Sequence, residues 1–195
     1  MMDALKWIAA AIAATLYVAQ VDGAAALDNV RPAADDAAAT APVSAEPRET
    51  SATFGDWVAR CQRIGAAGAE KSVCEAAQTL VIKGQQAPIA QIAFGRSEGG
   101  SVAATVLLPI NIAFDKGPLL GIEGSDENDV KLVFRRCLPT GCFAEGKVEA
   151  AGLTAYRGSD KPGRLVFTDA SEHIVKFPFS FRGLAQALDE VNKHP

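Results

Sequence analysis

The stretch "FRRCLPTGC", residues 134–142, places two cysteines five positions apart around a Pro-Thr-Gly turn. Its reading decides the fold, because the same letters could serve redox chemistry, hold a metal or staple two pieces of chain. A thioredoxin-like site has two residues between its cysteines and a helix starting after the first, whereas "CLPTGC" has four and a turn. A four-cysteine zinc site pairs its ligands at short spacings, yet the other two cysteines, Cys61 and Cys74, have twelve residues between them. The staple fits best. Three pairings are possible, and Cys61 with Cys74 and Cys137 with Cys142 are favoured because both are local and bracket turn-forming residues, "RIGAAGAEK" and "LPTG". On the chain-entropy model the first loop contributes about 3 kcal/mol and the second about 2.

Structural disulfides belong to oxidising compartments, and the N-terminus points the same way. Trp7 to Val21 is an apolar run preceded by Lys6 and followed by the small residues Gly23 to Ala26. It is short for a membrane-spanning helix and has the layout of a secretory signal peptide, so residues 1–26 are expected to be removed near Gly23 or Ala26. Residues 27–52 are rich in alanine, with prolines at 32, 42 and 47 and almost no large apolar groups. Such a segment buries too little surface to offset its ordering entropy, which predicts a disordered linker. Residues 53–195 are then the domain. Its sixteen basic residues face sixteen acidic ones, so the chain's net charge of −4 comes from the leader and linker. A neutral domain without a basic face is not built for nucleic acid.

Most of this domain has the look of short strands punctuated by turns, the pattern of an antiparallel β-sandwich. "FGDWVARC" alternates Phe54, Asp56 and Val58 against Gly55, Trp57 and Ala59, and "EAAQTLVIK", "APIAQIAF", "SVAATVLL", "INIAF", "PLLGIE" and "VKLVFRRC" follow, separated by "GQQ", "GRSEGG", "DKG" and "GSDEND". Pro109 and Pro118 fall at strand boundaries, where a missing donor costs least. Residues 145–156 lose the alternation and predict a short helix carrying Val148, Ala151 and Ala155. In "HIVKFPFSF", Phe177, Phe179 and Phe181 share one face, read as core, and Pro178 predicts an edge strand or a bulge. Leu184, Leu188 and Val191 mark an amphipathic C-terminal helix starting near Arg182, with Ser180 as a candidate N-cap and Lys193 at the end that suits a cation.

Motifs for chemistry are sparse. "GRSEG", residues 95–99, matches the G-x-S-x-G of a hydrolase, with Ser97 as nucleophile and His173 and Asp169 as partners. A nucleophile elbow runs from strand into helix, but here the β-branched run "VAATVLL" follows, as after a hairpin turn. Asp126, Glu127 and Asp129 could offer oxygens to calcium, without the spacing or glycine of a calcium loop. Trp57 is either a core aromatic packed on the first disulfide or an exposed anchor for a partner. No cofactor and no metal is expected.

"FGDWVARC", the second cysteine at 74, "LLPINIAFDKGPLLGIEG", "VKLVFRRCLPTGCFAE" and "FPFSFRGLAQAL" resemble, in that order, the blocks of the invasion-associated locus B family of bacterial envelope proteins. The resemblance spans roughly Phe54 to Val191 and departs from the family pattern at Asn111 and Leu184. It implies an exported protein, periplasmic, outer-membrane-associated or secreted, that in some members contributes to invasion of host cells, and it carries over no catalytic residue. The expectation is a non-enzymatic module binding an unknown envelope or host protein, with membrane contact either peripheral or through a retained N-terminal segment. The alternatives are a periplasmic hydrolase using Ser97 and a sandwich that binds a small ligand.

Overall fold

A computed structural model describes residues 47–194 apart from Ala67, Gln86 and Glu98. The expected signal peptide and most of the expected linker lie outside the described residues. Two antiparallel sheets form the domain. The first comprises β1 (Glu49–Phe54), β2 (Trp57–Ile64), β3 (Lys71–Val81), β4 (Pro88–Arg96), β5 (Val102–Leu108), β8 (Val133–Leu138) and β9 (Gly141–Lys147), in the order β1-β2-β3-β4-β5-β9-β8. The second comprises β6 (Leu119–Ile122), β7 (Ser125–Lys131), β10 (Gly163–Thr168) and β11 (Ile174–Phe179), in the order β11-β10-β6-β7. Helices α1 (Ala150–Arg157) and α2 (Leu184–Val191) complete it, and α2 packs on β1, β2 and β3.

Period-two alternation explains which side chains meet between the layers. Ile92 and Phe94 of β4, Val106 and Leu108 of β5, and Leu120 and Leu165 of the second sheet are buried in one cluster. Phe179 and Phe181 are buried there and Phe177 packs against it, which bears out the single-face reading of the three rings. Pro178 sits on β11, an edge strand, where the lost donor breaks no ladder.

Several boundaries differ from the expectations. Strand β1 begins at Glu49, inside the stretch assigned to the linker, because its backbone pairs with β2 whatever its side chains are. "FGDWVARC" is not one strand: Gly55 takes φ +56 and a two-residue turn separates Phe54 from Trp57. "INIAF" forms only an isolated bridge, Ile112 to Asp169. "VKLVFRRC" is shared between sheets, with Val130 and Lys131 in β7 and the chain bending at Leu132 into β8, the strand-switching corner of a sandwich. Residues 145–147 prolong β9 through the pair Lys147–Ala103, so the helix starts at Ala150. Helix α2 has Gly183 at its N-cap, with φ +93, while Ser180 Oγ accepts the N–H of Arg182 instead.

Candidate functional site

The cysteines form two cross-strand staples. Cys61 lies opposite Cys74 in the β2–β3 ladder and Cys137 opposite Cys142 in the β8–β9 ladder, and both pairs are bonded. Directly opposed residues on one face are close enough for a disulfide, so antiparallel register supplies the geometry that local spacing suggested. Cys142 is buried and Cys137 exposed, whereas Cys74 is buried.

Ser97 is consumed by a turn. Its hydroxyl lies 2.8 Å from Ser101 Oγ and donates to the Ser101 carbonyl at 3.0 Å, while its N–H donates to the same carbonyl at 2.9 Å. This is a strand–turn–strand hairpin in an antiparallel sheet, the context that a nucleophile elbow excludes. His173 and Asp169 stand in the β10–β11 turn of the other sheet, with His173 Nδ1 3.4 Å from Asp169 Oδ2. Asp169 Oδ1 accepts the N–H groups of His173 at 2.9 Å and Ser171 at 2.8 Å, and these bonds hold its carboxyl below the usual range. Ser97 follows Arg96, which pairs with Val102 at the start of β5, while the β10–β11 turn meets Ile112 just beyond the end of β5. Seven residues of strand, roughly 20 Å, separate the two ends. The structure does not bring Ser97 and His173 together.

The acidic run is a strand, not a loop. Asp126, Glu127 and Asp129 lie in β7, and Arg164 Nη2 from β10 bonds Asp126 Oδ1 at 2.6 Å and both oxygens of Asp129 at 2.7 Å. Arg164 reaches across β6 because its register partner there is Gly121, where a Cβ would overlap the Asp129 carboxylate. The hydrogen bond to Asp129 raises the Arg164 pKa, while Arg164 Nε is buried without a partner. Among the described residues no group of three or more acidic, histidine or cysteine side chains is placed to hold a metal ion.

Trp57 is fully buried and joins the two layers. Its indole N–H donates to the Ser180 carbonyl at 2.8 Å, and its ring lies 5.5 Å from Phe94 and 6.5 Å from Phe179. The neighbouring Gln78 is the one buried amide side chain among the described residues. Its Nε2 donates to the carbonyls of Asp56 and Ser180, both at 3.2 Å, and its Oε1 accepts the Ser180 N–H at 3.1 Å. Arg182 then makes a two-pronged ion pair with Asp56, at 2.6 and 3.1 Å, which holds that carboxyl below its usual range. The β1–β2 turn is thereby locked onto the β11–α2 junction. Sequence reasoning missed Gln78, since a glutamine at a core position of "EAAQTLVIK" breaks alternation without saying what it bonds.

Beside this seam a hollow of about 460 Å³ opens between Ser159, Lys161, Phe179, Phe181 and Arg182. A smaller one of about 260 Å³ lies at one end of the first sheet, lined by Pro88, Ile89, Leu107, Pro109 and Thr140. Among the described residues no helix is long and apolar enough to cross a membrane.

The family model described as Invasion associated locus B (IalB) protein matches residues 57–192. The chain belongs to that family. The crystal structure of invasion associated protein b from Bartonella henselae has the same fold, with a TM-score of 0.62 at 20% identity, covering 74% of this chain and 95% of that one. No curated protein matches the chain. In this IalB-family domain the resembling blocks fall at structural junctions. "FGDWVARC" turns from β1 into β2, "CLPTGC" closes the β8–β9 hairpin, and "FPFSFRGLAQAL" passes from β11 through the Gln78 seam into α2.

Proposed function

We propose that this IalB-family chain is an exported, non-enzymatic module of the bacterial envelope that acts by contact with another protein or envelope component and so contributes to invasion of host cells. One observation carries the reading: the groups available for hydrolysis, Ser97 and the His173–Asp169 pair, sit at opposite ends of the domain and each is bonded within its own turn. The two disulfides suit a periplasmic or secreted location. Deletion of the gene, followed by complementation with the wild-type chain and with Ser97→Ala, tests this. Equal restoration of host-cell invasion by both supports a contact role, and restoration by wild type alone, with the variant still folded, would mean an enzyme. A small ligand is the second reading, favoured by the hollow beside Phe179 and Phe181, which falls within the ~300–1,000 Å³ of ligand pockets. A ligand-dependent rise in melting temperature would support it.

A further inference from the structure

Of the nine large apolar side chains exposed among the described residues, six gather toward one end of the domain: Val81, Ile82, Ile110, Phe114, Leu138 and Ile174. The ladder pairs Val81–Pro88, Gln91–Leu107 and Leu108–Cys142, with the bridge Ile112–Asp169, bring together the β3–β4, β5–β6, β8–β9 and β10–β11 connections that carry them. Ile110 and Ile174 are the most exposed of them, at 67% and 68%. The other end carries Ile64 and Val73 among the ion pairs Arg63–Glu70 and Lys147–Glu149.

The charges at the apolar end are sorted as well. Lys83 follows Ile82, and Lys116, Arg136 and Lys176 each lie two residues from Phe114, Leu138 and Ile174. The carboxylates there are Asp115, Asp169 and Glu172. Glu172 is bonded by Lys116 and Asp169 by His173, and Asp115 lies beside Lys116, close enough to help raise the pKa of its amine. Lys83, Arg136 and Lys176 have no carboxylate partner among the described residues, Arg136 lying over the Phe143 ring. The apolar groups are spread over four connections at this end, where a hollow lined by Pro88, Ile89, Leu107 and Pro109 measures about 260 Å³, too slight for most ligands. Apolar tips on four connections, each connection with a cation on it or next to it, fit the boundary between acyl chains and phosphate headgroups better than they fit one continuous protein groove.

We infer that this end is a docking face for an anionic phospholipid surface, an inference that rests on the contact-module reading above. Residues 47–195 are the form to test, since the apolar Trp7–Val21 run would bind vesicles by itself. The crystallised relative, 95% covered by the match, is little more than this domain. The assay is flotation with phosphatidylcholine vesicles with and without phosphatidylglycerol, on wild type, the triple variant Ile82→Ser/Ile110→Ser/Ile174→Ser and Lys83→Ala/Lys176→Ala. Binding should require phosphatidylglycerol, weaken with salt, and fall about tenfold or more in either variant. All five positions are exposed, so folding should persist; if the triple variant melts early, Ile110→Ser and Ile174→Ser singly carry the test. No binding by wild type, or binding that the variants leave unchanged, overturns the inference. So does a dimer that the triple variant dissolves without altering vesicle binding, an outcome that would leave the contact role standing with a protein as the partner.

Discussion

Replacing Tyr156 by phenylalanine isolates a single buried hydroxyl. The ring would stay where it is, stacked 5.1 Å from Phe181 and 6.1 Å from Phe94, while the Asn128 carbonyl at 2.7 Å and the Leu120 carbonyl at 3.2 Å would lose their donor. Both carbonyls flank the register shift of β6 against β7. The expected loss at neutral pH is about 1–3 kcal/mol. Burial, with a smaller contribution from Asp129, pushes the phenol up from 10.0 to about 12. Because the folded state holds this proton more tightly, the contribution is complete below the unfolded value and declines as pH rises between the two values. The linkage amounts to about 1 kcal/mol near pH 11 and less at lower pH. Urea unfolding of wild type and Tyr156→Phe, from neutral pH into that range, should therefore show a gap that narrows by these amounts, since phenylalanine cannot ionise. A constant gap would refute the buried-phenol argument, and no gap at neutral pH would refute the carbonyl argument.

Gly163→Ala should lower stability by about 1–3 kcal/mol in thermal melts, since a Cβ there would overlap the Phe179 ring in a packed core. Gln78→Leu, close in volume, should lose about 2–4 kcal/mol because it strands the Ser180 N–H and the Asp56 carbonyl, while the Ser180 carbonyl keeps only the Trp57 N–H; retention of the wild-type melting temperature would mean that the seam contributes nothing. Gly121→Ala should break the Arg164–Asp129 pair and destabilise measurably more than the same change at Gly124, whose added Cβ would meet nothing but whose φ of +78 carries its own backbone strain of about 1 kcal/mol. Under graded reductant and alkylation, Cys137–Cys142 should open before Cys61–Cys74, because each pair has one buried cysteine but Cys137 is exposed while Cys61 is half-buried, and mass spectrometry of the first-labelled pair decides it.

The staples, the mainly β class and the edge position of Pro178 were legible because each depends on residues close in sequence: a turn between two cysteines, a period of two, a ring without an N–H. The seam was not, for Gln78 meets Ser180 across 102 residues, and nothing in either neighbourhood announces the other. The acidic run misled for the same reason. "GSDEND" has the composition of a solvated turn, yet only Glu123 and Gly124 turn, and Asp126 and Asp129 beyond them are paired by an arginine 38 and 35 residues away.

Sequence alone determined that this chain would be a disulfide-stapled β domain of the IalB type, since alternation, turn chemistry and cysteine spacing are local properties that survive without knowledge of the partners. The tertiary structure decided which strands share a sheet, that one apolar run splits at Leu132 between two of them, and that exposed aliphatics from four distant connections meet at one end. Those outcomes depend on pairings between remote segments, whose free energy comes from burying both faces at once and is written in neither segment separately.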